Sequence, residues 1–230
     1  MFVNTTGIIL REVTYKDSSK ILTVLTSDEG KVTLSAYGAY RKNSKLAVST
    51  GLLVFSHMTM TKRKDRWTLT EAQPIEQFLG LRDDLNLLSL ASYVAELTEA
   101  VSDEDSLNTQ LLPLCLNTLY ALSEKLKLPN LIKLAFELRL MTISGFEPIL
   151  EEIKDIKNMT GNEGILYLTP AAYGAAKYII ACDSKKLFSF KIDKSAQREL
   201  SISIEEYLLR HLDRSFKTLD YYKRINSDRE

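Results

Sequence analysis

Residues 7–45 read GIILREVTYKDSSKILTVLTSDEGKVTLSAYGAYRKNSK, and the alternation within them decides the fold class. Val32, Leu34 and Ala36 fall on one face of an extended segment, and Lys31, Thr33, Ser35 and Tyr37 on the other, because side chains in a strand repeat every two residues. The stretch therefore forms a half-buried sheet with one wet face. KILTVLT meets KVTLSAY across Ser27, Asp28, Glu29 and Gly30, where the glycine takes the left-handed conformation that closes a short hairpin.

Working outward, five strands are expected before about Phe78: GIILREV, KILTVLT, KVTLSAY, LLVFSHMTMT and WTLTEAQ, the last two joined by a charged tip, KRKD at 62–65, with Pro74 ending the β region. Five strands in so few residues cannot bury two faces of an open sheet, and closure removes the exposed edges. A five-stranded barrel of this length has the size of an OB-fold.

Past Gly80 the apolar period changes from two to 3.6. Asp83 or Asp84 is a helix N-cap for LNLLSLASYVAELTEAV. A second helix is expected at about 108–126, and a third at about 130–144, stopped by Gly145 with Pro148 behind it. The pattern weakens from 149 to about 190, where GNEG at 161–164 is a turn, ILYL a short strand, and Thr169-Pro170 the start of another helix. A last helix at about 195–216 carries the stripe Leu200, Ile204, Leu208 and Leu212, followed by a short helical tail. The fold class is α+β, with a barrel domain at 1–80 and a helical domain at 81–230 that contains a small insert at about 149–190.

Composition is ordinary for a globular chain, 45% apolar and 26% charged over 230 residues. No apolar run is long enough to span a bilayer and the first residues lack the order of a signal peptide, so a cytoplasmic location is expected. Cys115 and Cys182 read as free thiols, and with His57 and His211 as the two histidines the chain cannot assemble a Cys/His zinc site by itself. Net charge is zero from 30 basic and 30 acidic residues, yet it is unevenly placed: +4 over 1–80, −6 over 81–160 and +2 over 161–230. From 41 to 66, Arg41, Lys42, Lys45, Lys62, Arg63, Lys64 and Arg66 are opposed only by Asp65, which sustains a local anion-binding field on an uncharged whole.

Catalytic signals are weak. Asp83 with Asp84 and Glu151 with Glu152 are neighbours in sequence that do not share a helix face, GNEG lacks the ending of a phosphate loop, and neither histidine has a motif partner. No catalytic residue is assigned. Polyanion binding is better supported, since single-stranded nucleic acid is held by cations that track phosphates and by rings on which bases stack. Lys31, Tyr37, Tyr40, Arg41, Lys42, Lys45, Lys62, Arg63, Lys64, Arg66 and Trp67 interleave both kinds of group. The competing reading makes Tyr37 and Trp67 partly core and the lysines mere turn solubilisers, and spacing alone leaves the two level.

The order of residues tips that balance. The stretch 7–46 resembles the opening of the RecO family of bacterial recombination mediators: a strand, a polar turn, an ILTVLT-like strand, a Gly hairpin and a Gly-Ala-basic-basic-x-Ser segment. LGLRDDLNLLSLASYVAEL resembles that family's entry to its helical region, LIKLAFELRLMTISGFEP its signature helix and stop, and LTPAAYGA a later segment. The resemblance implies an N-terminal OB domain, a helical domain with a small insert, and a non-enzymatic role in DNA damage repair and recombination. That role is to bind and anneal DNA strands and help load recombinase on strands coated by single-strand binding protein. Implied partners are single- and double-stranded DNA, RecR, the acidic C-terminal tail of the coating protein and, indirectly, RecA, in the bacterial cytoplasm near the nucleoid. Many relatives carry two CxxC pairs that bind zinc in the insert; here Ile153, Ile156, Lys177 and Ile180 stand at the matching positions, so a degenerate, metal-free, zinc-finger-like insert is expected, with no cofactor. Lys133 and Arg139 on the matching helix are candidates for the tail pocket. The alternatives are an OB-type RNA-binding factor, a protein-only adaptor, and a hydrolase whose site is unrecognised.

Overall fold

A computed structural model describes residues 2–41, 43–104, 107–153 and 164–227. Its N-terminal part is a closed barrel of five strands, β1 (Phe2–Tyr15), β2 (Ser19–Thr26), β3 (Lys31–Ala36), β4 (Phe55–Arg63) and β5 (Arg66–Glu76), in the spatial order β1-β2-β3-β5-β4. This is the OB-type barrel that the alternation predicts, followed by helices.

Closure depends on β1, which is twice the length of the GIILREV strand expected from sequence. Its N-terminal half pairs with β4, from Phe2↔Thr61 to Ile8↔Phe55, and the remainder with β2, from Gly7↔Thr26 to Tyr15↔Ser19. A register shift between Ile9 and Arg11 lets one strand turn from one neighbour to the other. At Gly7, shared by both ladders, a Cβ would come within 2.7 Å of a Val24 methyl, so a side chain there would collide with the wall.

β4 starts at Phe55 rather than Leu52 because Leu53 sits at φ 63 in the turn before it. β5 runs on through Pro74, which pairs with Ser56 of β4. The proline does not end the strand because β5's other neighbour, β3, pairs with it only at Leu34↔Trp67 and Ser35↔Thr68; at Pro74 that edge needs no N–H. The core holds Ile9, Leu22, Val24, Val32, Leu34, Met58, Met60, Trp67 and Leu69. The β2–β3 turn is tied to β1 by Asp28, whose carboxylate accepts from Thr5 Oγ1 at 2.7 Å and from Ser27 Oγ at 2.6 Å.

The helices are α1 (Leu85–Val101), α2 (Leu111–Ser123), α3 (Pro129–Ile143), α4 (Pro170–Ala181), α5 (Lys194–His211) and α6 (Lys217–Ser227). Asp84 is the N-cap of α1, its side chain accepting from Asn86 N at 2.8 Å. α3 ends in a left-handed Gly145 (φ 83), with Gly145 N donating to Thr142 O and Phe146 N to Met141 O, a paired C-terminal closure. α5 stops at His211, short of the expected 216, because Asp213 takes φ 46; Leu200, Ile204 and Leu208 of its stripe are fully buried. The chain falls into two compact units. One comprises Met1–Ser123 with Lys217–Glu230, the other Glu124–Phe216. The packing division at Ser123 and the change of sequence period near Gly80 are thus different boundaries.

In the first unit, α6 packs on α1. Thr218 donates through its backbone N and its hydroxyl to Glu96, and Asn226 Nδ2 donates to Asn86 Oδ1 at 2.9 Å. In the second, α3 packs on α5 and α4, and the short strands β6 (Ile149–Glu152) and β7 (Ile165–Leu168) pair in parallel beside α4. Of the GNEG turn, residues 161–163 lie outside the described residues.

Candidate nucleic-acid interface

The wet face of β3 is the centre of the site. Val32, Leu34 and Ala36 point into the barrel, and Thr33 between them is exposed. Beyond Ala36 the chain turns through Gly38 (φ 70), where a Cβ would meet the Arg41 side chain at 3.3 Å. Ala39 plugs into the core, so Tyr37 and Tyr40 on either side of it are turned outward, 62% and 49% exposed. Tyr40 N donates to Ser18 O at 3.0 Å, Gly38 N to Ser19 Oγ at 3.4 Å, and Ser44 N to Arg41 O at 2.9 Å. These bonds hang the aromatic and basic turn on the β1–β2 hairpin.

One cation that the sequence reading did not single out fixes that turn. Lys20, 6% exposed, ion-pairs with Glu12, donates to Thr50 O at 3.1 Å, and lies 4.7 Å from the Tyr40 ring centroid, an arrangement a π face favours. The Tyr40 hydroxyl in turn accepts from Thr14 Oγ1 at 3.2 Å. The signal was available: Lys20 shares the inward face of β2 with Leu22 and Val24, and an ammonium on an inward face demands partners.

The second basic segment is the β4–β5 tip. Arg63, Lys64 and Arg66 are exposed and make no ion pair among the described residues. The Leu34↔Trp67 pairing sets Arg66 level with Thr33, and Tyr37 lies three residues past Leu34, about 10 Å further along. Tyr37 and Arg66 are thus offset by four residues along β3, about 13 Å, instead of standing side by side. Arg41 and Lys45 are exposed on the first; Lys42 lies outside the described residues.

Four sequence-derived candidates have internal partners or core positions. Trp67 is 8% exposed in the barrel core, with the Lys62 ammonium 5.0 Å from its ring centroid; a ring so covered gives a base no face to stack on. Its position beside inward Leu69 on an alternating strand is the reason. Lys31 is turned to α1, donating to Glu99 O at 3.1 Å, while the Glu99 carboxylate takes Arg11 at 3.0 Å. Lys133 and Arg139 are occupied within the second unit. Lys133 pairs with Glu137 and Glu205, both at 2.8 Å, and Arg139 donates to Ile179 O and to Cys182 O. Burial alone would depress the Lys133 pKa, but the fields of Glu137 and Glu205 and their hydrogen bonds outweigh it and hold the ammonium above its ordinary range.

Comparison with known proteins matches residues 1–78 to the N-terminal model of recombination protein O and residues 82–152 to its C-terminal model. The DNA repair protein RecO of Acetivibrio thermocellus is 28% identical over 245 residues, covering 98% of each chain. That of Alkaliphilus metalliredigens is 28% identical over 98% of this chain and 100% of its own. That of Halalkalibacterium halodurans reaches 34% identity over 152 residues, 66% of this chain and 59% of its own.

Proposed function

We propose, from the premise that this chain belongs to the RecO family of DNA repair proteins, that it binds single-stranded DNA on its barrel and anneals complementary strands. In this reading it assists the loading of a RecA-type recombinase on strands coated by single-strand binding protein. RecR and the acidic tail of that coating protein are its partners, and it works in the cytoplasm. No described helix is long and apolar enough to cross a membrane. No residue takes a catalytic role.

The observation that carries the reading is the outward pair Tyr37 and Tyr40 beside Arg41 and Lys45, cations without carboxylate partners among the described residues. Stacking rings set among uncompensated cations are what a strand of unpaired nucleotides requires. The test is the salt dependence of single-strand binding. Replacing Arg41 and Lys45 by Ala should weaken binding and reduce the log–log salt slope by about 1.4, two contacts at about 0.7 each. Unchanged affinity and slope would overturn it.

The reading includes a metal-free insert. Ile153 follows β6, and Lys177 and Ile180 lie on α4; Ile156 lies outside the described residues. Isoleucine offers a metal no donor, and among the described residues no group of three His, Cys, Asp or Glu side chains is placed to hold an ion. Elemental analysis finding one firmly held zinc per chain would refute this part.

A further inference from the structure

The β-ladders carry Arg11 onto the same outward face as Thr33. Arg11 of β1 pairs with Thr23 of β2, and Thr23 with Thr33 of β3; residues opposite one another point to the same side of a sheet. With Arg66 of β5 level with Thr33, one row of side chains, Arg11, Thr23, Thr33 and Arg66, crosses the face over about 14 Å, three strand spacings of about 4.8 Å. Hydroxyls form its middle and a guanidinium stands at each end. Thr33 and Arg66 are exposed, and the Arg11 side chain keeps 57% of its surface open.

Arg11 differs from Arg66 in having a partner. Its Nε donates to Glu99 Oε1 at 3.0 Å and its Nη2 to Thr23 Oγ1 at 3.3 Å, which occupies two of its five N–H groups. Glu99 lies in the last turn of α1, where the helix carbonyls already concentrate negative charge and a carboxylate is disfavoured. An ion pair this exposed adds little to folding. The same turn is moored separately, because the Lys31 ammonium donates to Glu99 O at 3.1 Å. Arg11 can therefore leave the carboxylate without undocking the helix, and the main effect of Glu99 is on the field at Arg11.

We propose that Arg11 is a phosphate contact of the single strand on the barrel, and that Glu99 is the carboxylate Arg11 gives up to make it. The inference rests on the reading that the barrel holds a single strand, and it extends that site from the turn at Tyr37 across the row that ends at Arg11. A planar guanidinium suits the exchange, since its fork grips a carboxylate and a phosphate in the same geometry. Glu99 thus tempers the affinity of the face and takes Arg11 back when the strand leaves.

The experiment measures binding of a labelled single-stranded oligonucleotide to the full chain over a series of salt concentrations. Arg11→Ala should weaken binding and reduce the log–log salt slope by about 0.7, the share of one phosphate contact. Glu99→Gln keeps an oxygen for Arg11 but not the charge, and should tighten binding about two- to fivefold, the range an exposed ion pair supplies. The double variant Arg11→Ala, Glu99→Gln should bind as Arg11→Ala does. Wild-type affinity and slope in Arg11→Ala overturn the proposal. So does a Glu99→Gln gain that persists without Arg11, which would mark Glu99 as a general repulsive charge. If Arg11→Ala folds poorly, Arg11→Gln tests the charge with a side chain that still reaches Thr23. Failure of the barrel reading is distinguishable, because then the Arg41→Ala, Lys45→Ala variant would also bind as the wild type does, whereas failure of this proposal alone leaves that variant weakened.

Discussion

The ammonium of Lys20 lies over the Tyr40 ring, 4.7 Å from its centroid, while the same group ion-pairs with Glu12. One nearly buried cation thus ties a wall of the barrel to the turn that displays the proposed binding residues. Lys20→Met removes the donor from Glu12 and from Thr50 O, and should lower stability by about 1–3 kcal/mol, measured by urea unfolding. It should also weaken single-strand binding at temperatures where the variant remains folded. Tyr40→Phe keeps the ring and should bind as the wild type does. A Lys20→Met protein of normal affinity would show that the turn holds its pose without the contact.

Tyr37 and Trp67 should separate binding from stability. Tyr37→Ala removes an exposed ring and should cost about 1–3 kcal/mol of single-strand binding with little change in unfolding midpoint. Trp67→Ala empties a core position and should cost about 3–5 kcal/mol of stability. The opposite pattern would mean that the core ring, not the exposed one, meets the bases.

Lys133→Met leaves Glu137, which is fully buried, without its ammonium. Removing one partner of a buried ion pair costs about 3–5 kcal/mol, so urea unfolding should show a large loss. Lys133→Met combined with Glu137→Gln should recover part of it. A single variant of wild-type stability would show that the charge finds water.

Asp28 sets an acid-side dependence. Its hydrogen bonds from Ser27 and Thr5 hold its carboxyl below the ordinary carboxylate range. A group depressed in the folded state contributes stability that is fully present above its unfolded value, about pH 3.9, and is lost as pH falls through the lower folded value. Asp28→Asn should therefore flatten the fall of the urea midpoint on acidification below about pH 4. An unaltered slope would mean that other carboxylates carry all of it.

The barrel was legible because alternation is a local signal: Val32, Leu34 and Ala36 are buried as their spacing requires. Strand lengths were less legible, since the early start of β1 and the persistence of β5 through Pro74 are set by partners dozens of residues away. The exposed groups of the candidate site, Tyr37, Tyr40, Arg41 and Lys45, could be read from the mix of rings and cations. Trp67, Lys31, Lys133 and Arg139 could not, because residue type does not reveal whether a polar or aromatic group has an internal partner. Lys20 was readable from its place among inward residues.

The return of α6 to α1 has a consequence for synthesis. The ribosome releases the first 123 residues well before Lys217 emerges, so throughout translation of the second unit the α1 surface that α6 will cover is bare and Glu96 lacks its Thr218 donors. The first unit begins the chain and is the last to be completed. A chain cut before Lys217 should therefore display a sticky α1 flank, making α6 the piece that finishes the first unit.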